Sequence, residues 1–161
     1  MVKPLLLDWK GKIYCHVDAI FGVGVSTALE GDLQFEFSKR TGRIKNFSIG
    51  NGLVATFRTD GGLALTVFGA KQLLRSQKFR ENCVIPTPEA IPFVSEGRSL
   101  FCKHVEWCGS NIRVASDVAI ITKSNVVLAT GKAQLGFSTM KKYHNGVAVK
   151  IREGIKSRLK E

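Results

Sequence analysis

Long hydrophobic runs, acidic residues and closely spaced cysteines are scarce or absent in this sequence, and each of these gaps excludes a class of protein. No stretch approaches the roughly 18 apolar residues that a membrane-spanning helix needs, so we expect no membrane partner. The run Leu5–Leu7 is too short for a signal peptide and is stopped by Asp8. The sequence therefore predicts a cytoplasmic protein.

The cysteines do not show a metal-binding pattern. They are Cys15, Cys83, Cys102 and Cys108, with no C-x-x-C pair among them. Zinc sites need closely spaced thiolates or imidazoles. His16 follows one cysteine and His104 lies near another, but adjacent residues of a strand face opposite sides of a sheet. We therefore expect reduced, partly buried cysteines, no metal site and no cofactor.

Positive charge is present throughout the chain. The 161 residues include 24 Lys and Arg against 13 Asp and Glu, which gives a formal net charge of +11. Residues 1–80 hold twelve basic against six acidic residues, and residues 81–161 hold twelve against seven, so the halves carry +6 and +5. The hydrophobic content of 44% is enough for a packed core. The expected partner is a polyanion, with nucleic acid as the first candidate.

Residues 1–80 contain several short strand patterns followed by a helical one. Leu33–Ser38 alternates apolar and polar residues, and Gly50-Asn51-Gly52 is a strong hairpin signal between two further strands. Helical spacing follows over 69–79. Lys10-Gly11-Lys12 is typical of a turn, whereas 13–17 fits either a strand or the start of a helix. This half is predicted to be a small α+β module.

Residues 81–161 are predicted to be mainly β. Strand patterns cover 84–86, 100–105, 117–122 and 126–130, with short helices opening at Pro88 and Ser138. Many short strands with two short helices predict a small closed or half-closed β-barrel.

The last strand, 147–152, carries the most informative pattern. Val147, Val149 and Ile151 occupy alternate positions, so this strand should bury one face and point Lys150 and Arg152 outward. Further bases follow it: Lys156, Arg158 and Lys160. Such a strand suits a polyanion. A solvated strand with a basic tail is the alternative.

The order of these elements resembles two known modules. The second half is similar to a PUA domain, an RNA-binding pseudobarrel, on residues 97–105, 117–121, 127–133, 138–140 and 146–154. The first half resembles the module that precedes PUA in archaeosine tRNA-guanine transglycosylase, on residues 18–22, 38–44, 55–58, 60–61, 65–66 and 69–70. The predicted fold is therefore α+β: an α+β N-terminal module in residues 1–80, followed by a PUA β-pseudobarrel in residues 81–161.

This resemblance covers only the C-terminal portion of that enzyme, because 161 residues cannot hold its catalytic (β/α)₈ barrel. It implies a tRNA-binding accessory subunit of a split archaeal transglycosylase, not catalytic alone, that acts in archaeosine tRNA modification. The implied partners are the tRNA acceptor stem with its CCA end and a catalytic subunit. A stand-alone PUA RNA-binding protein in ribosome biogenesis or translation is the alternative. A small enzyme is disfavoured, because Gly22-Val23-Gly24 lacks the rest of a nucleotide loop and no nucleophile motif is present.

The candidate RNA contacts lie in both halves. Gly97 would let the backbone approach a phosphate or ribose, Arg98 would bind two phosphate oxygens, and Ser99 would donate one more hydrogen bond. The other candidates are basic: Lys103, Lys150 and Arg152 in the second half, and Lys39, Arg40, Arg43 and Arg58 in the first. Trp9 and Trp107 are expected mainly in the core, with stacking on an RNA base as the alternative.

Overall fold

The structure, a computed structural model, describes residues 8–157. The run Leu5–Leu7 and the basic residues Arg158 and Lys160 lie outside the described residues. Within 8–157, no helix is both long enough and apolar enough to cross a bilayer. The described chain folds into a four-stranded sheet and a six-stranded sheet, with four α-helices and several 3₁₀ turns.

The first helix, α1 (Trp9–Phe21), contains the segment that the sequence predicted as a turn. The Asp8 carboxylate caps it by accepting a hydrogen bond from the Gly11 N–H at 2.9 Å. A Cβ at position 11 would collide with that carboxylate, so the glycine permits the cap instead of breaking the helix. The buried face repeats every four residues: Ile13, Val17 and Phe21. The turn prediction was wrong, and the helical alternative for 13–17 is confirmed.

The first sheet is an antiparallel meander in the order β1-β2-β3-β4. Its strands are β1 (Leu33–Phe37), β2 (Ile44–Ile49), β3 (Gly52–Phe57) and β4 (Leu63–Leu65), and a 3₁₀ turn (Val25–Ala28) precedes them. The hairpin predicted at 50–52 joins β2 to β3. The helix predicted over 69–79 is divided, because α2 (Val67–Leu73) ends early and a 3₁₀ segment (Gln77–Asn82) follows.

The second sheet has the order β6-β10-β9-β8-β5-β7. Its strands are β5 (Cys83–Pro86), β6 (Leu100–Phe101), β7 (Val105–Cys108), β8 (Asp117–Ile121), β9 (Val127–Ala133) and β10 (Val147–Gly154). Pro88–Ala90 forms a 3₁₀ turn before α3 (Ile91–Ser95), and α4 (Phe137–Lys142) precedes β10. The β5–β8 pair is parallel, and the other strand pairs recorded in this sheet are antiparallel.

The strand predicted over 100–105 consists of two strands separated by a 3₁₀ turn (Cys102–His104). β6 pairs with β10 at one edge of the sheet, and β7 pairs with β5 at the other edge. A three-residue connection between opposite edges nearly closes the sheet into a barrel. The predicted fold class, an α+β module followed by a PUA-like β-pseudobarrel, is confirmed.

One hydrophobic core extends across both sheets. It joins Phe47, Leu65 and Phe79 of the first half to Cys83, Ala119, Ile121 and Val127 of the second. A second cluster fills the barrel interior around Leu100, Ile120 and Val149. Because the first core draws side chains from both units, it fixes their relative position.

Candidate nucleic-acid interface

A cleft of about 660 Å³ opens in the first unit between α1, the β1–β2 turn and the β3–β4 turn. We call it the α1 cleft. Its basic lining residues are Lys12, Arg40, Arg43, Lys45 and Arg58, and none of the described residues that line it is acidic. The cleft therefore brings together three of the four predicted contacts in this half. The fourth, Lys39, is exposed in the same β1–β2 turn but does not line the cleft.

The backbone of the β1–β2 turn forms hydrogen bonds within the turn, and its basic side chains are left exposed. The Ser38 N–H donates to the Arg43 carbonyl, and the Gly42 N–H donates to the Ser38 carbonyl, both at 2.8 Å. Gly42 has a φ of +68°, a left-handed conformation that glycine adopts without strain. Arg40 and Arg43 are exposed, and neither forms an ion pair within residues 8–157. Both guanidinium groups are thus available to an anion.

The other cations of the α1 cleft differ in their surroundings. Lys45 lies 3.9 Å from Glu36, and the Arg58 Nε lies 3.2 Å from Asp60. The Gly62 N–H and the Arg58 guanidinium hold the pKa of Asp60 below its usual range. Lys12 instead lies over an aromatic ring, with its ammonium 4.9 Å from the Trp9 centroid.

Aromatic rings also line the α1 cleft, those of Trp9, His16 and Phe57, and the sequence did not predict them there. Trp9 is half-buried and packs edge-on against Phe37 at 4.9 Å between centroids. The His16 Nε2 lies 2.7 Å from the Gly61 carbonyl oxygen, and the His16 ring packs against Phe57. Trp9, Lys12 and His16 share a face of α1 by their spacing of three and four residues. That signal was hidden because residues 10–12 were predicted as a turn.

Asp117, at the start of β8, is the centre of a buried polar network between the two units. Its side chain is 1% exposed. Oδ2 accepts hydrogen bonds from the Leu65 N–H at 2.6 Å and from Arg152 Nη1 at 2.9 Å, and Oδ1 accepts one from Arg152 Nη2 at 2.6 Å. The Thr130 hydroxyl donates to the Leu65 carbonyl at 3.0 Å. This network ties β4 of the first sheet to β8, β9 and β10 of the second.

Arg152 does not point outward as the alternation of the last strand predicted. The pairing of β10 with β9 shifts register only after Ile151, so Arg152 shares the face of Lys150, but at this position the face is covered by β4 and by the buried carboxylate of Asp117. Arg152 turns to Asp117, and that hydrogen bond raises the pKa of the Arg152 guanidinium. Arg58 is also turned inward, because its Nη2 donates to the Ala115 carbonyl at 2.9 Å and its side chain is only 20% exposed.

Lys150 is exposed as predicted, and a second lysine lies beside it. Lys150 pairs across the strands with Lys132, which pairs in turn with Asp117. Directly opposed residues point to the same face of a sheet, so both lysines lie on the face that meets the first unit. Lys132 was not predicted from the sequence.

The remaining predicted residues lie after α3, in the 3₁₀ turn after β6 and on β10, the strand that pairs with β6. We call Gly97, Arg98, Ser99, Lys103 and Lys150 the barrel surface. Gly97 has a φ of +94°, and the Arg98 guanidinium lies 5.5 Å from the ring of Phe93, which is 50% exposed. Leu100 of β6 pairs with Val149 of β10, so Ser99 immediately precedes a residue whose partner is next to Lys150 in the chain. Lys103 is exposed in the 3₁₀ turn after β6.

The cysteine and histidine residues are not arranged as a metal centre in the described part of the chain. Between residues 8 and 157, no group of three or more His, Cys, Asp or Glu side chains is placed to hold a metal ion. Cys83, Cys102 and Cys108 are buried, and burial raises the pKa of each thiol. These thiols are therefore poor nucleophiles and weak metal ligands.

Comparison with known families assigns both units. Residues 17–79 match the patch-forming domain C2 of tRNA-guanine transglycosylase. Residues 84–155 match the PUA domain. The first eight residues of α1, including Trp9 and Lys12, precede the matched C2 segment.

Curated relatives extend the match to most of the chain. The chain is 36% identical over 147 residues to the tRNA-guanine(15) transglycosylase of Methanobrevibacter smithii, which covers 90% of this chain and 22% of the relative. It is 34% identical over 154 residues to that of Thermococcus onnurineus, covering 95% and 26%. The chain therefore spans about a quarter of the length of the curated relatives it matches.

Solved structures show the same fold. A hypothetical protein from Pyrococcus horikoshii OT3 matches with a TM-score of 0.72 at 18% identity, over 93% of this chain and 92% of that one. A conserved PUA domain protein from Thermoplasma acidophilum matches with a TM-score of 0.66 at 16% identity, over 92% and 90%. Taken together, the chain contains a segment that matches the C2 domain followed by one that matches the PUA domain, and over about nine-tenths of its length it is similar to a C-terminal portion of archaeal tRNA-guanine transglycosylases.

Proposed function

We propose that this chain is a tRNA-binding unit, not catalytic alone, that presents the acceptor stem and CCA end of tRNA to a separate transglycosylase catalytic subunit. The observation that carries the proposal is the pairing of a C2 domain with a PUA domain over nine-tenths of the chain, in a match that covers only 22% of the relative. The remainder of such an enzyme would be the partner, and the cytoplasm, where tRNA is modified in archaea, would be the location.

The charge distribution supports an RNA ligand. Exposed cations occur on both units, and the net charge of +11 is divided almost equally between the halves. Phosphate contacts provide most of the affinity of RNA-binding proteins and are independent of base sequence. An A-form stem hides its base edges in a deep, narrow groove, so binding should follow shape and backbone.

Each predicted residue has a distinct role in this proposal. At the barrel surface, Gly97 admits the RNA backbone, while Arg98 and Ser99 donate hydrogen bonds to phosphate oxygens. Lys103 and Lys150 extend the positive charge to either side. In the first unit, Lys39, Arg40 and Arg43 contact the more distant part of the RNA. Arg58 and Arg152 have a different role from the RNA contacts. Arg58 donates a hydrogen bond to the Ala115 carbonyl and Arg152 donates one to Asp117, and these bonds hold the two units in one orientation.

Binding at a distance from the reacting base would assist catalysis. Interactions with remote parts of a substrate can offset the loss of motional freedom that a productive complex requires. Added to a catalytic subunit that lacks C2 and PUA domains, the chain should raise the affinity for tRNA or the rate of guanine exchange.

The test is a mixing experiment with three tRNA substrates. Intact tRNA, tRNA without its 3′ CCA end and tRNA without its acceptor stem are assayed for guanine exchange by the catalytic subunit, with and without this chain. We expect stimulation only with intact tRNA and no exchange by the chain alone. Exchange by the chain alone, or equal stimulation with all three substrates, would contradict the proposal.

A second candidate function is that of a stand-alone RNA-binding protein. It is favoured by the two solved structures whose fold coincides with nine-tenths of both chains. Affinity purification from native extract distinguishes the two functions. Recovery of a transglycosylase catalytic chain with tRNA supports the subunit, whereas recovery of ribosomal RNA without that chain supports the alternative.

A further inference from the structure

We propose that the α1 cleft accommodates one unstacked nucleotide of a single-stranded RNA segment, with its base against Trp9 and its flanking phosphates against Lys12, Arg40 and Arg43. This inference rests on the proposed RNA-binding function and specifies the ligand of one site. Trp9 and Lys12 precede the segment that matches the C2 family, so the site includes a part of this chain that the family match does not cover.

The size and lining of the α1 cleft favour a single nucleotide over a duplex. A volume of about 660 Å³ is within the usual range for small-ligand sites. Aromatic and aliphatic side chains, those of Trp9, Ile13, Ile44 and Phe57, line it together with the cations. A duplex presents mainly phosphates and ribose to a protein surface, whereas an unstacked base presents an apolar face that fits such a lining.

The charges fit the phosphates on either side of one nucleotide. Lys45 and Arg58 already have carboxylate neighbours in Glu36 and Asp60. Lys12, Arg40 and Arg43 form no ion pair within residues 8–157. Guanidinium groups on a turn can each donate two hydrogen bonds to one phosphate. A single RNA strand would supply two successive phosphates to Lys12, Arg40 and Arg43.

The contact between Lys12 and Trp9 makes the site adaptable. The ammonium lies over the indole at 4.9 Å from its centroid and is exposed, so the contact is weak. A base that stacks on the indole would displace the ammonium, which could then pair with the adjacent phosphate. One side chain thus covers the ring when the cleft is empty and assists binding when it is filled.

Intrinsic fluorescence can report this site selectively. The chain has two tryptophans, and Trp107 lies in β7 beneath Arg80, outside the α1 cleft. In a Trp107→Phe variant, emission therefore comes from Trp9 alone. The variant is titrated with hexauridylate as a single strand, with a blunt RNA duplex, with uridine monophosphate, with hexaglutamate and with intact tRNA.

We expect hexauridylate to quench Trp9 and to bind at least about tenfold more tightly than the monophosphate, because the strand offers a second phosphate. Arg40→Ala with Arg43→Ala should weaken hexauridylate binding at least about tenfold. The matched control is Lys71→Ala, which removes an exposed cation of α2 outside the cleft and should change affinity less than about twofold.

The outcomes separate this inference from the proposed function. If tRNA binds but hexauridylate leaves Trp9 emission unchanged, the nucleotide site is overturned and tRNA binding stands. Equal affinity of the duplex, the monophosphate or hexaglutamate, measured by quenching of Trp9, would also overturn a single-stranded ligand. If hexauridylate binds and tRNA does not, the cleft inference holds and the tRNA proposal fails. If neither binds, both fail.

Discussion

At the scale of single residues, the basic side chains of this protein divide into two kinds that composition does not distinguish. Lys150 and Arg152 are two residues apart on β10 and were predicted to share one role. The structure leaves Lys150 exposed, whereas it holds Arg152 against a carboxylate that is 1% exposed. Removing Arg152 would leave the buried Asp117 carboxylate with the Arg58 Nη1 at 3.6 Å as its cationic neighbour, and this loss is costly because the surroundings solvate the carboxylate poorly.

The first prediction compares these two residues. Arg152→Ala should lower the free energy of unfolding by about 2 kcal/mol, less than for a fully buried pair because the Arg152 side chain is 36% exposed. Lys150→Ala should change it by less than about 0.5 kcal/mol. Urea unfolding measures both. Equal stability of the two variants would show that the Asp117 network does not hold the units together.

The second prediction concerns pH and Glu81. The Glu81 carboxylate accepts hydrogen bonds from the Ser110 N–H at 2.9 Å and from the Ser110 hydroxyl at 2.7 Å. These bonds hold the pKa of Glu81 below its usual range. A lowered pKa gives stability that is fully present above the unfolded value, near 4.5, and is lost as the pH falls through the native value.

Glu81→Gln should therefore cost about 0.5–1 kcal/mol at pH 7, where the exposed carboxylate is ionised, and progressively less as the pH falls below 4.5. Urea unfolding of both proteins between pH 7 and pH 3 measures the difference. Glu89→Gln, which changes an exposed carboxylate without a recorded side-chain hydrogen bond, is the control and should show a smaller difference at pH 7. A difference that is constant with pH would contradict the role of Glu81.

At the scale of secondary-structure elements, the sequence predicted what is locally encoded. Alternation gave β1, and the glycines at 50–52 gave the β2–β3 hairpin, because both depend only on neighbouring residues. The start of α1 was not predicted because Lys10-Gly11-Lys12 has the composition of a turn. The hydrogen bond from the Gly11 N–H to the Asp8 carboxylate, which caps the helix, is not apparent from that composition. The break between β6 and β7 was missed because barrel closure depends on partners distant in the chain.

In the candidate site, too, the features that depend on neighbouring residues were predicted and those that depend on distant residues were not. Arg40 and Arg43 could be predicted because a short basic turn with a glycine exposes its side chains whatever the tertiary structure. The inward orientation of Arg58 and Arg152 could not, since it depends on Asp117, which is 59 and 35 positions away in the chain. The alternation of 147–152 places Lys150 and Arg152 on one face of β10, but it contains no signal that β4 covers that face at Arg152.

The third prediction tests the close approach of β9 and β10. A Cβ at Gly131 would collide with the backbone of Lys150 and Ile151 on the neighbouring strand, so Gly131→Ala must displace that strand. We expect a loss of about 2–3 kcal/mol in unfolding free energy. At Gly136 a Cβ would meet its nearest neighbour at 3.7 Å, an ordinary contact, and φ is −79°. Gly136→Ala should therefore cost less than about 1 kcal/mol, and a similar loss in both variants would contradict the argument.

At the scale of the whole molecule, the two units form one hydrophobic structure although they match separate families. Leu65 and Phe79 pack in the same cluster as Ala119 and Ile121 of the barrel. Polar bonds reinforce it at a second point, where the Asn82 amide donates to the Phe21 carbonyl and accepts from Asn111. A chain with a shared core and buried polar ties across it should unfold as a single cooperative unit.

The fourth prediction measures this cooperativity with one tryptophan in each unit. Trp9 in α1 reports the first unit, and Trp107 in β7 reports the second. Trp107→Phe and Trp9→Phe leave one reporter each, and far-UV circular dichroism of either variant reports both units together. Within each variant, the fluorescence and circular dichroism transitions should share one midpoint and one slope in urea, because neither unit can expose its side of the common core while the other stays folded. Two separated transitions within one variant would mean that the units fold independently. In that case the orientation of the α1 cleft relative to the barrel surface would not be fixed by the core.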